Sequence, residues 1–191
     1  MKKGISGALI AVIIIAFLGL TIFSSYNNLV TMEEDVTGKW SQVDNQLQRR
    51  LDLIPNLVST VKGYAAHEEK VFTEVTRARE KMIGAGTVAD KAEANSELDG
   101  ALSRLLAIVE NYPTLKADSN FRQLADELAG TENRIATARM DYNNAVQAYN
   151  TKIRKLPTVI FAGMLGFDKK DYFEAHEGAD VAPQVDFGTG E

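Results

Sequence analysis

The sequence has no cysteine, two histidines and one tryptophan in 191 residues. Without thiols, disulfides and thiolate chemistry are excluded, and a zinc site would have to lean on carboxylates. A basic excess is missing too. The net charge of -5 and a pI near 5.2 give no footing for a binder of phosphate backbones, so nucleic acid is not an expected partner. Prolines number only four, and no stretch alternates apolar and polar residues with β-branched enrichment, so strands are not required. What remains, 45% hydrophobic and 25% charged residues, is a globular composition sized for one domain plus an appendage.

The appendage is "MKKGISGALIAVIIIAFLGLTIF". Residues 5–23 carry no charge and as a helix span about 28 Å, close to the roughly 30 Å hydrocarbon layer. A cleaved signal peptide is the rival reading. The apolar run, however, exceeds the usual length of such a core, and no A-x-A site follows it. Lys2 and Lys3 precede the span, whereas Glu33, Glu34 and Asp35 follow it with only Lys39 nearby. The positive-inside rule therefore places residues 1–4 in the cytoplasm, residues 5–23 across the cytoplasmic membrane and the rest outside it. Small residues four apart, Gly4 with Ala8 and Gly7 with Ala11, would let two spans approach closely.

Beyond the span, Val36, Trp40, Val43, Leu47, Leu51, Ile54, Val58 and Val61 recur at intervals of three and four, the mark of an amphipathic helix. "RRLDLIPNLV" puts Pro55 inside that stripe. Proline cannot donate to the Leu51 carbonyl, a defect of about 3 kcal/mol in a helix interior. The stripe keeps its phase across it. Five flanking side chains worth roughly 1.5–3 kcal/mol each on burial outweigh one defect, so the expectation is a bent but continuous helix with the Leu51 carbonyl released.

A turn is expected near residues 63–68, after which Val71, Val75, Ala78 and Met82 mark a second helix stopped by Gly84 and Gly86. Leu98, Leu102, Leu105 and Val109 mark a third, closed by "NYP" at 111–113. Asp118 or Ser119 can cap the last, whose face runs Leu124, Leu128, Ile135, Ala138, Tyr142, Tyr149, Ile153 and Leu156 up to Pro157. The expected architecture is all-α: a single N-terminal transmembrane helix followed by an antiparallel bundle of long helices over residues 24–157. Four helices are favoured, with three as the alternative if the first two form one rod. With four, parity returns the chain to the membrane, where "TVIFAGMLGF" at 158–167 could touch lipid. Residues 158–191 complete the chain as this apolar segment and an extended tail.

Candidate chemistry is sparse. "HEEKV" at 67–71 begins like H-E-x-x-H but has Val71 in place of the second ligand. Neither His67 nor His176 follows a Glu-x-x spacing, which removes the di-metal bundle pattern. "GAGTVA" at 84–89 matches the letter of a dinucleotide fingerprint but follows a helix rather than a strand, and reads as a connection. Arg49, Arg50 and Pro55 form the candidate kink or interaction site. Tyr142, Asn143, Tyr149 and Asn150 form a candidate helix–helix seam, because Tyr142 and Tyr149 lie seven apart and phenols and amides inside helices call for partners.

The segments "YNNLV", "VTGKWSQVDNQLQRRLDLIPNLVSTVKGYAAHE", "NYPTLKADSNFRQLADELAGTENRIATARMDYNNAVQAYN" and "GFDKKDYFEAHEGADVAPQVDF" together resemble the LemA family of bacterial membrane proteins. The resemblance covers nearly the whole chain and implies a single span and a helical domain, in agreement with the periodicity. It implies no established reaction. Genes of the family often lie beside those of membrane proteases or phosphatase-like envelope proteins, which implies an accessory role as one alternative. The leading expectation is a non-enzymatic, membrane-anchored scaffold or adaptor of the cell envelope. It would need no metal or cofactor and would have the lipid bilayer and copies of itself as partners.

Overall fold

The computed structural model describes residues 2–174. His176 and the tail expected at 178–191 lie outside the described residues. Five helices follow in order: α1 (Lys2–Lys62), α2 (Glu69–Gly84), α3 (Val88–Val109), α4 (Pro113–Lys116) and α5 (Ser119–Arg154). Two short 3₁₀ turns, Thr158–Ile160 and Gly163–Leu165, come after them. No strand occurs among the described residues. The fold is all-helical, with α1, α2, α3 and α5 as its long members. The span and the first bundle helix are one unbroken element.

α1 changes character along its length. From Leu9 to Leu20 the described side chains are exposed on every side, and Leu29 is the first fully buried residue. Beyond it, Val36, Val43, Leu47, Leu51, Ile54, Leu57 and Val61 are buried. The fourth turn of that stripe is Leu57 rather than the expected Val58, which is half-buried. Pro55 sits on the exposed face, where its ring displaces no core side chain, and the helix continues through it.

The chain folds into two compact units. The first takes α1 up to Gln48 together with Glu132–Tyr172. Here α1 and α5 run antiparallel: Trp40 meets Tyr142, with ring centroids 5.3 Å apart, and Lys39 pairs with Asp141 at 3.6 Å. Further back along α1, Glu33 pairs with Lys170 and Tyr26 meets Phe167 edge to face at 5.5 Å. The end of α5 thus returns to the level where the apolar part of α1 stops, as the parity of four helices requires. The second unit takes Arg49–Thr131 and Phe173. α2 and α3 form an antiparallel hairpin whose rim pairs are Lys81 with Glu93 and Glu97, each at 2.6 Å, and Arg104 with Glu74 at 2.9 Å. Phe72, Val75, Ala78 and Met82 of α2 pack with Leu98, Leu102, Leu105 and Val109 of α3 in the buried set.

Local chemistry explains the helix ends. α1 stops at a turn over residues 63–68, where the "KGY" sequence yields Gly63 N–H bonds to the Ser59 and Thr60 carbonyls. α2 ends at Gly84 with an extended Ala85, not with a left-handed glycine. The start of α3 is fixed by a reciprocal capping box: the Asp90 amide donates to Thr87 Oγ1 (3.1 Å) and the Thr87 amide donates to Asp90 Oδ2 (3.2 Å). "TVAD" carries that signal in the sequence. α5 ends at Arg154, so Leu156, expected on its buried face, is instead 77% exposed.

Asp118 caps α5 by accepting from the Phe121 amide at 2.8 Å and also accepts the Tyr64 hydroxyl at 3.1 Å. The Phe121 amide is the main reason its carboxyl is held below the ordinary range, while the same carboxylate pushes the Tyr64 phenol up. Asp118→Ala is expected to lower the melting temperature of the detergent-solubilised protein by roughly 2–4 °C. Because the folded-state pKa is depressed, this stabilisation is complete above about pH 4 and fades as pH falls through the depressed value. Melts of the two proteins should therefore converge in acid.

Candidate functional site

Of the residues singled out in the sequence, Arg49 and Pro55 are exposed and Arg50 is buried. Around them the second unit gathers a polar cluster. The Leu51 carbonyl, deprived of its intrahelical donor by Pro55, accepts from Nε of Arg79 on α2 at 3.1 Å. The proline defect is thereby converted into a tertiary contact, since a guanidinium supplies the hydrogen bond that the imide nitrogen cannot. One turn of α1 before Ile54, Arg50 points the other way. Its Nη1 donates to Asn95 Oδ1 at 3.0 Å and lies 2.5 Å from the Asp99 carboxylate, while Asn95 Nδ2 donates to Asp99 Oδ2 at 3.1 Å. Proline and arginine thus tie α1 to α2 and α3 respectively. Asn95 and Asp99 are four apart on α3 and pair locally, but their contact with Arg50, and that of Arg79 with the Leu51 carbonyl, join residues tens of positions apart and carry no local spacing signal.

The first unit holds the second cluster, on the "YNN" and "YN" residues of α5. Tyr142 turns its ring to Trp40 of α1 and donates its hydroxyl to the Asp171 carbonyl at 2.7 Å. Asn150 makes a paired contact with the backbone of one residue: Nδ2 donates to the Lys170 carbonyl (2.8 Å) and Oδ1 accepts from the Lys170 amide (2.9 Å). The expected helix–helix seam is therefore in large part a seam between a helix and an extended segment. An asparagine side chain reproduces the donor–acceptor pair of a backbone peptide, which a passing strand-like segment can use. Lys170 also pairs with Glu33 of α1 at 2.5 Å and lies over the Tyr149 ring at 5.8 Å.

Tyr149 is fully buried and its hydroxyl has no hydrogen-bond partner among the described residues. Burial, then the nearby Glu33 and Asp168 carboxylates, push its phenol up to about 12. Tyr142 is raised as well, mainly by burial and then by Asp171. Asn143 is half-buried beside them. Among the described residues no group of three or more His, Cys, Asp or Glu is placed to hold a metal, and His67 stands exposed in the turn after α1.

The arrangement is one long helix, apolar over its first part, continued into helices joined by the two polar clusters. The LemA family profile matches residues 39–187, and that extent decides the relationship. The chain belongs to the LemA family. Curated relatives include the magnetosome proteins MamQ 2 and MamQ 1 of Paramagnetospirillum magneticum. Each is 32% identical over 201 aligned residues, covering 90% of this chain and 74% of the relative. The magnetosome protein MamQ of Magnetospirillum gryphiswaldense is 30% identical with the same coverage. This LemA-family chain is a membrane-anchored helical protein by the one helix among the described residues that is long and apolar enough to span a bilayer, and by those relatives. The first polar cluster falls within the family match, and so does the second apart from Glu33.

Two outcomes follow from the clusters. Arg50 is 5% exposed and Asp99 38%, so removing the carboxylate takes the counter-ion from a buried cation, whereas removing the cation leaves a carboxylate on a partly exposed side chain. In urea denaturation Asp99→Ala should cost about 3 kcal/mol, and Arg50→Met, which replaces the cation by similar apolar volume, should stay within about 1 kcal/mol. Tyr149→Phe deletes an unpartnered hydroxyl and should shift stability at neutral pH by no more than about 0.5 kcal/mol. The wild-type phenol is raised from 10.0 to about 12. Its contribution is therefore full below pH 10 and is lost as pH rises through the folded value, and alkaline melts of Tyr149→Phe should fall less steeply than those of the wild type.

Proposed function

We propose that this LemA-family protein is a non-enzymatic scaffold or adaptor of the bacterial cell envelope. It is anchored by α1 in the cytoplasmic membrane with its N-terminus inside and its bundle outside, and it assembles with copies of itself. The observation that carries the reading is the continuity of α1. The apolar span passes without a break into the helix that pairs with α5, so lateral contacts of the bundle are transmitted rigidly to the membrane. A reaction centre would not need such coupling; a membrane-bound lattice does.

Other features support the same reading. Gly7 and Ala11, a small pair on one face of the span, favour close approach of neighbouring anchors. Lys2 and Lys3 before the span, against Glu33, Glu34 and Asp35 after it, support the orientation. Gln42, Asn45 and Gln46 of α1 face Asn133, Thr137 and Asp141 of α5 across an open groove that a neighbouring chain could enter. The relatives' name, magnetosome protein, speaks for work within an assembled cell structure.

Because Arg50 and Tyr142 are buried, they are poor positions from which to capture a partner. Exposed Thr137 is suitable. A photo-crosslinker at Thr137 in the full chain in cells, followed by native mass measurement of the detergent-solubilised particle, should give self-crosslinks and a particle of two or more copies. A strictly monomeric particle with adducts only to a membrane protease or phosphatase-like protein would replace the scaffold by an accessory subunit.

A further inference from the structure

The segment "LPTVIFAGMLGF", residues 156–167, contains one polar side chain, Thr158, and that side chain is buried. Phe161, Ala162 and Phe167 turn inward with it. The residues turned outward are the apolar ones: Leu156, Ile160 (67% exposed) and Met164 (80% exposed), with Val159 and Leu165 beside them. In water such a contiguous patch needs a cover.

Its backbone, meanwhile, needs little water. Val159 N–H donates to the Lys155 carbonyl at 3.0 Å, Ala162 N–H to Thr158 at 2.9 Å, Leu165 N–H to Phe161 at 3.0 Å and Phe167 N–H to Ala162 at 3.0 Å. Gly166, at φ +82, supplies the left-handed step that closes the loop. Internally satisfied amides are what a segment requires to enter a bilayer interface.

Place identifies the cover. Phe167 stands edge to face with Tyr26, which lies about 4.5 Å along α1 from Phe23, the last residue of the apolar run. The loop's inner end is therefore held beside the end of the apolar run, at the depth where an interfacial tyrosine belongs. Exposed Arg154 and Lys155 precede the loop and exposed Asp168 and Lys169 follow it, so that cations outnumber the anion around its base. A two-fold contact through the loop would bring these cations toward their own copies, whereas phosphate headgroups attract them.

We propose that residues 156–166 form a second membrane contact, a loop inserted into the interface of the leaflet on the bundle side, which together with α1 fixes the first unit against the bilayer. The segment that follows the loop, Lys170 and Asp171, is held to α1 and α5 through Glu33, Asn150 and Tyr142, so lipid contact at the loop's tip bears on the paired helices. This inference rests on the anchoring of α1 described above.

The chain has no cysteine, so a single introduced one is the only labelling position. An environment-sensitive fluorophore is attached at Leu18→Cys, Met164→Cys or Met140→Cys in the full chain. Each labelled protein is then placed at one copy per nanodisc containing lipids with a nitroxide near the top of the acyl chain. Met140 is exposed on α5, about 21 Å along the helix from its end. Labels at 18 and 164 should lose most of their emission and the label at 140 should keep it. Quenching at 18 but not at 164 overturns the loop contact alone; no quenching at either overturns the anchoring as well. A label at 164 that is shielded only in discs holding two copies, without quenching by lipid, assigns the patch to a second copy and overturns the proposal.

Discussion

α1 has to serve two solvents with one set of backbone hydrogen bonds. Over Leu9–Leu20 its described side chains are exposed all round, the pattern of a helix surrounded by lipid, and from Leu29 onward one stripe is buried. A helix satisfies its own amides wherever it lies, so nothing in its backbone obliges it to stop at the membrane surface. Everything else in the first unit is registered to that changeover: the edge-to-face contact of Tyr26 with Phe167, the Glu33–Lys170 pair and the antiparallel return of α5. The change from all-round exposure to a single buried face sets where the bundle begins.

The same helix carries its one serious defect where a tertiary contact can repair it. Pro55 costs α1 an intrahelical bond but sits on the exposed face, and the orphaned Leu51 carbonyl finds Arg79. Burial of Leu47, Leu51, Ile54, Leu57 and Val61 keeps the helix going, since several apolar side chains outweigh one lost bond of about 3 kcal/mol. Arg50, Asn95 and Asp99 then fix α1 to α3. In both units the polar residues that attract notice in the sequence are spent on holding elements together. What is exposed is a groove between α1 and α5 and the apolar tip of the loop after α5.

Much of the fold was legible because it rests on periodicity. The stripe of α3, most of those of α2 and α5, the turn near residues 63–68, the continuity of α1 through Pro55 and the cap at Asp118 all follow from spacing or from chemistry local to a few residues, although Phe72 rather than Val71 is buried in α2 and Leu124 is only half-buried in α5. Where local reading failed, the reasons were tertiary. Leu57 takes the place of Val58 because the buried face drifts around a long helix. Leu156 is exposed because the helix ends at Arg154 and the chain turns before Pro157. Tyr142 and Asn150 were recognisable as residues needing partners, but their partner proved to be the peptide backbone at Lys170 and Asp171.

By itself the sequence determined the apolar span, the all-helical class and the family, because helix periodicity, hydropathy and long motifs are written in near-neighbour residues. Only the tertiary structure decided that Arg79 completes the proline defect, that Arg50 is an internal strut and that the segment after α5 is strapped to α1 with its apolar tip outward. Those facts depend on which residues meet across 20 to 137 positions of chain. Such meetings are set by how whole helices pack, and no spacing within one helix encodes them.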